Sequence, residues 1–126
     1  MANPCLLCRI SQHEIPFEIL LEDEYVIAFD VPDGHPEKRA PVHFLVIPRE
    51  HIPSSNELHA HHEATLGRMW TVAARLAKDK SVSESGFRLV SNTGADAHQT
   101  EFHLHLHCVG GRDLGAGEWT SQWTPS

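Results

Sequence analysis

Two spacings of apolar residues take turns along the chain, and each predicts a different element. Glu18-Ile19-Leu20-Leu21-Glu22 and Tyr25-Val26-Ile27-Ala28-Phe29 are short apolar runs split by Asp23-Glu24, the pattern of a hairpin. Val42 to Ile47 is rich in β-branched and aromatic residues, and Pro48 stops it. From Ser55 to Lys80 the interval changes: Leu58, Leu66, Met69, Trp70, Ala73, Leu76 and Ala77 recur as on one face of a helix. Ser54, Ser55 and Asn56 are cap candidates there, and Lys78 and Lys80 sit where a helix dipole favours cations. Phe87–Ser91 and Phe102–Val109 return to strand character. Cys8 to Gln12 predicts a short helical turn, and the prolines and glycine between Val31 and Pro41 predict a loop.

Five strands and one long helix, joined by short connections instead of repeated strand-helix-strand units, predict an α+β fold. The expected architecture is an antiparallel five-stranded sheet with one long helix and a short N-terminal helix. One sheet face packs on the long helix, which leaves the other for solvent, function or a second subunit.

Composition narrows the picture. A chain of 126 residues is the size of a single domain, 1–126. No apolar run approaches the roughly 20 residues of a membrane span, and the N-terminus lacks the pattern of a signal peptide, so a cytoplasmic protein without membrane contact is expected. A net charge of −7 argues against extended binding to a nucleic-acid backbone, while a small phosphorylated ligand stays compatible with it. Three cysteines do not suggest a disulfide framework, and eleven histidines exceed what an average composition supplies.

Three of those histidines alternate. On a strand, His103, His105 and His107 share one face while Leu104, Leu106 and Cys108 take the other, toward the core. Three imidazoles in a row leave two chemistries open: a metal site built on neutral ring nitrogens, or a metal-free site in which one ring attacks and another handles protons. Cys5 and Cys8 form a C-x-x-C pair, two of the four ligands that a structural zinc needs. His59, His61 and His62 are read as solvated positions at the start of the long helix.

The run His103-Leu104-His105-Leu106-His107-Cys108-Val109 resembles the defining motif of the histidine triad (HIT) proteins. His43 to Pro48, His51, the long helix, Asn92 and Gln99-Thr100 stand ahead of it in matching order, and the resemblance runs from Cys5 to Arg112. Chain length and Gly110-Gly111-Arg112 point to the Hint branch, whose members are dimeric nucleoside phosphoramidate hydrolases.

The resemblance implies hydrolysis of a purine nucleoside phosphoramidate to the nucleoside monophosphate, such as AMP, through a covalent nucleotidyl-histidine. His105 is then the nucleophile, His107 contacts the phosphate and assists protonation of the leaving amine, and His43 supports them. Asn92, Gln99 and Thr100 match the phosphate and leaving-group side, Asp30 the ribose, and Phe29 and Ile27 the base pocket. Cys5, Cys8, His51 and His103 match a structural zinc site. A homodimer with a continuous sheet is implied, and a tail, 110–126, that brings Trp119 and Trp123 near the active site. The chain departs from the pattern at His98, where glycine is usual, and at Glu101, where an apolar residue is usual. Other readings are a dinucleoside polyphosphate hydrolase of the Fhit type, a nucleotide-binding or interaction protein with weak turnover, and an open metal hydrolase using all three strand histidines.

Overall fold

In the computed structural model, which describes residues 4–116, a short helix α1 (Leu6–Ser11) precedes strands β1 (Ile19–Glu22), β2 (Val26–Asp30) and β3 (Val42–Pro48). The long helix α2 (Glu63–Asp79) follows, then β4 (Phe87–Val90) and β5 (Leu106–Gly110). The strands form one sheet in the order β1-β2-β3-β5-β4, and all four pairings are antiparallel. The expected class, strand number and two helices are all present.

The period of two along each strand divides the sheet into two faces. Val26 and Ala28 of β2, Phe44 and Val46 of β3, and Leu106 and Cys108 of β5 are buried together with Met69, Val72, Ala73 and Leu76 of α2. Burial in this layer pushes the Cys108 thiol up to about 12, so it serves the core and not chemistry. Ile27, Phe29, Leu45 and Ile47 turn to the opposite face, where Leu7 and Ile10 of α1 cover them. The β1–β2 turn is pinned by Asp23, whose Oδ1 accepts the N–H groups of Tyr25 and Val26 at 2.8 and 2.9 Å, while Arg68 of α2 donates to its Oδ2.

The short N-terminal helix runs from Leu6 to Ser11, not Cys8 to Gln12, and two boundaries differ by more. The long helix starts at Glu63, not Ser55: two 3₁₀ turns, Ser55–Glu57 and Ala60–His62, fill the interval. Leu58 was the one apolar position supporting an earlier start, and its backbone is extended, at ψ 140°. Trp70 lies within the helix yet is 56% exposed, so it belongs to the outer face and not to the core stripe. The last strand starts at Leu106, not Phe102. Before it, the Leu104 N–H donates to the Ile52 carbonyl at 2.6 Å, which takes this stretch off the sheet ladder. Phe102 is exposed.

Candidate active site

The sheet face opposite α2 carries a row across the strands. Phe29 pairs with Leu45, Leu45 with His107, and the next odd position of β3 is His43. Above this row lies a cavity of about 280 Å³. One wall is apolar: Leu7 and Ile10 of α1, Phe17, Phe29 and Leu45, with the Phe17 and Phe29 rings edge to face at 5.1 Å. His43, His105 and His107 line the same cavity, the last two with ring centroids 4.9 Å apart. An apolar wall beside three imidazoles suits a ligand with a flat hydrophobic part and a reacting polar group.

Hydrogen bonds assign the protons. His105 Nδ1 lies 2.7 Å from the His103 carbonyl oxygen. A carbonyl only accepts, so Nδ1 carries the hydrogen and Nε2 keeps a lone pair. The backbone N–H of Arg39 donates to Nδ1 of His43 at 3.0 Å, so the hydrogen of the neutral His43 ring is on Nε2. That atom is 3.0 Å from Nδ1 of His107, which accepts. The neutral His107 ring therefore holds its own hydrogen on Nε2. A backbone amide thus fixes, through two rings, a hydrogen on His107 Nε2, beside a ring whose own Nε2 keeps a lone pair.

Burial, helped by the positive charges of Arg39 and Lys38, holds His43 down to about 4, and burial holds His107 well below the ordinary histidine range. Both rings are neutral in the folded chain at pH 7. In the unfolded chain each takes up a proton as the pH falls through about 6.5, so there the unfolded state binds more protons. Stability is fully present above that pH and is lost as the pH falls from about 6.5 toward about 4. The melting temperature of the native chain is expected to drop across this window, and that of His43→Gln to drop less steeply. A melting temperature level between pH 7 and 5 contradicts the assignment.

The second cluster lies behind the first. The ligand atoms of Cys5, Cys8, His51 and His103 lie within 4.8 Å of one another. His103 Nδ1 is 3.4 Å from each sulfur, and His51 Nδ1 is 3.3 Å from the Cys8 sulfur. A tetrahedral ion bonded to sulfur and nitrogen has S···N edges of about 3.5 Å, so the group is compatible with a metal site. The tautomer fits as well. His103 donates from Nε2 to the Pro48 carbonyl at 2.8 Å, which leaves the Nδ1 lone pair facing the sulfurs. Burial keeps His103 below its ordinary pKa and so in the neutral form that ligation needs. The Cys5 sulfur also caps α1, accepting the Cys8 N–H at 3.3 Å.

Glu50, His61 and His62 also bring ligand atoms together, but with the opposite tautomer. His62 accepts the His59 N–H on Nδ1 at 3.0 Å, so its hydrogen is on Nε2 and goes to Glu50. An ion at Nε2 has to break that bond. His62 is a buried staple of the 3₁₀ turn and not the solvated residue that the sequence suggested, because this turn folds back on Glu50.

The structure does not gather every predicted residue into the cavity. Asn92 and Thr100 line it, with His98 and Glu101. Gln99 is buried below: its Oε1 accepts the Gly94 N–H, and its Nε2 donates to the carbonyls of Pro53 and Glu101. It shapes the loop that carries Thr100. Ile27 is wholly buried beneath α1 as core.

Asp30 faces the other way, because alternation along β2 puts it on the α2 side, where Lys80 holds it at 2.8 Å. It lines a separate cavity of about 410 Å³ with Glu18, Val31 and Lys80. His103 leaves the triad face for the metal cluster. His98 has φ 61°, the left-handed region that glycine adopts without cost, which accounts for the usual glycine at this position. Sequence reasoning missed His35, Glu37 and Arg39, which come from the 31–41 loop and line the cavity. Trp119 and Trp123 lie outside the described residues.

The chain is similar to known proteins over most of its length. The family model described as "Scavenger mRNA decapping enzyme C-term binding" matches residues 4–120. The purine nucleoside phosphoramidase of Escherichia coli K12 is 43% identical over 115 residues, 91% of this chain and 93% of that protein. An uncharacterized HIT-like protein of Synechococcus elongatus is 40% identical over 114 residues, 90% of this chain and 96% of that one. Among solved structures, a HIT family hydrolase from Clostridium thermocellum has a TM-score of 0.83 at 40% identity, covering 92% of this chain and 97% of its own. A histidine triad protein from Clostridium difficile has a TM-score of 0.82 at 34% identity, covering 94% and 100%.

Proposed function

The chain belongs to the histidine triad family, and from that premise we propose that it hydrolyses the P–N bond of purine nucleoside phosphoramidates through a nucleotidyl-histidine on His105. The observation that carries this reading is the pair of fixed tautomers in the cavity, a lone pair on His105 Nε2 beside a donor on His107 Nε2. The activity named for the Escherichia coli relative agrees with it.

The apolar wall of Leu7, Ile10, Phe17 and Phe29 receives the base, which sets the α-phosphorus over the histidines. His105 Nε2 attacks phosphorus and the P–N bond breaks as the leaving nitrogen takes a proton from water and departs as the neutral amine. As phosphorus bonds to Nε2 the ring becomes cationic, and the His103 carbonyl, already bonded to Nδ1–H, stabilises that charge. His107 donates from Nε2 to a phosphate oxygen. The line behind it ends on the Arg39 amide, which does not release its proton, so His107 acts as a donor and not as the proton source. Water then cleaves the P–N(His) bond. One water is consumed: its proton goes to the amine and its hydroxyl to phosphorus. Asn92 and Thr100 face the phosphate and the leaving group from the β4–β5 loop.

We assign zinc to the Cys5, Cys8, His51 and His103 cluster as a structural ion: with four protein ligands it offers no position for substrate. It would brace His103, whose carbonyl holds the nucleophile. Its thiolates suit a reducing compartment such as the cytoplasm. We further propose a homodimer in which the sheet continues through β4, an edge strand with half of its backbone groups facing outward. The mass in solution checks the dimer, and a monomer contradicts it.

The test of the activity is release of AMP from adenosine 5′-phosphoramidate by the purified chain. The reading predicts turnover that persists with a chelator present. No binding of AMP and no turnover together would sink it.

A further inference from the structure

The active-site cavity carries charge that neither the proposed reaction nor the metal site uses, at a mouth to which the 31–41 loop brings His35, Glu37 and Arg39. We propose that Arg39 is a specificity residue whose guanidinium holds a second anionic group, a carboxylate or a phosphate, on the leaving-group side of the substrate. The inference rests on the proposed hydrolysis, since it names the class of nucleotide that this reaction takes.

Geometry carries it. The main chain of Arg39 is tied on both sides: its N–H donates to His43 Nδ1 and its carbonyl accepts from Arg112 Nε, each at 3.0 Å. The residue therefore starts from a fixed point beside the histidine line and borders the cavity that His105 and His107 line. A guanidinium offers five N–H donors. Nη1 donates to the Pro36 carbonyl at 3.0 Å, and Nη2 meets Glu37 at 3.6 Å. Glu37 is 69% exposed, so that pair is weak and an incoming anion can replace it. Arg39 itself is only 23% exposed, which strengthens its attraction for such an anion.

The apolar wall assigns the direction. A base against Phe17 and Phe29 and a phosphorus over His105 leave the charged mouth to whatever phosphorus carries on its far side. Arginine suits that place because its planar fork matches the oxygens of a carboxylate or phosphate. His98 and Glu101 of the β4–β5 loop border the same cavity. A neutral leaving amine offers the guanidinium no anion to replace Glu37.

Arg39→Gln removes the charge and keeps the backbone N–H that orients His43. Native and variant chains are compared on two adenosine phosphoramidates, one whose leaving amine is an amino acid with a free carboxylate and one in which that carboxylate is its methyl amide. Affinities for AMP and ADP are measured beside them. A carboxylate preference of about tenfold in kcat/KM is expected in the native chain, falling toward one in the variant. If phosphate is the natural group, ADP binds about tenfold tighter than AMP to the native chain and the variant loses that difference. Loss of either preference supports the assignment and identifies the anion. Preferences unchanged in the variant, or no preference in the native chain, overturn it. A native chain that turns over neither phosphoramidate contradicts the proposed hydrolysis, and the AMP and ADP affinities then decide Arg39 alone.

Discussion

His105→Gly is expected to lower the turnover of adenosine phosphoramidate by about 10⁴-fold or more, because the variant loses the nitrogen proposed to attack phosphorus and no other side chain takes its place. His43 Nε2 and His107 Nδ1 are committed to each other, and His103 faces the cysteines. The loss should fall on kcat more than on the affinity for AMP, since Phe17, Phe29 and Leu45 still form the apolar wall. Steady-state kinetics with AMP titration separates the two. A variant that keeps a tenth of native turnover contradicts the nucleophile assignment.

Removing the proposed metal is expected to have the second large effect, on stability. Cys5 and Cys8 sit at the start of α1, while His51 and His103 follow strand β3 and precede strand β5. An ion held by all four staples the N-terminal helix to the segment that presents His105. Chelation or Cys8→Ser is expected to cost about 3 kcal/mol or more, a fall of roughly 10 °C in melting temperature for a chain of this size. Added zinc restores the chelated sample. Activity well below the new melting temperature persists, reduced only as far as the His103 carbonyl loses its place. Immediate loss of turnover at an unchanged melting temperature contradicts a structural ion and favours a catalytic one.

The two halves of the molecule differed in how openly the sequence displayed them. Strands β2 and β3 were legible because alternation and β-branched residues coincide there, and α2 because six of its apolar positions are buried or half-buried in register with the sheet. Its start was not, since residues 59–63, polar apart from Ala60, carry no apolar period to mark where 3₁₀ turns give way to helix. The histidine motif was visible, but its reading as one face held only for His105 and His107. His103 is drawn out of register by bonds to Pro48 and toward the cysteines, contacts distant in sequence. Asp30 lies one position off the face it needed, and period-two geometry then places it wholly on the other side. Arg39 gave no signal of its own: a loop has no period, and only the fold shows that its amide meets His43.

The same tautomer logic separates two histidine clusters that resemble each other in composition. At His103 the ring nitrogen facing the sulfurs holds a lone pair, while at His62 the one facing Glu50 holds a hydrogen. Residue types alone do not distinguish these cases. The bond made by the other ring nitrogen does.

The most direct test of the account is whether phosphorus ever becomes bonded to His105. Native chain mixed with an adenosine phosphoramidate and denatured within the first turnover is digested and mapped by mass spectrometry. An adenylyl group on the peptide containing His105, absent from the His105→Gly sample and disappearing as AMP accumulates, is the predicted result. Turnover with no adduct at any time, or an adduct on another residue, contradicts it.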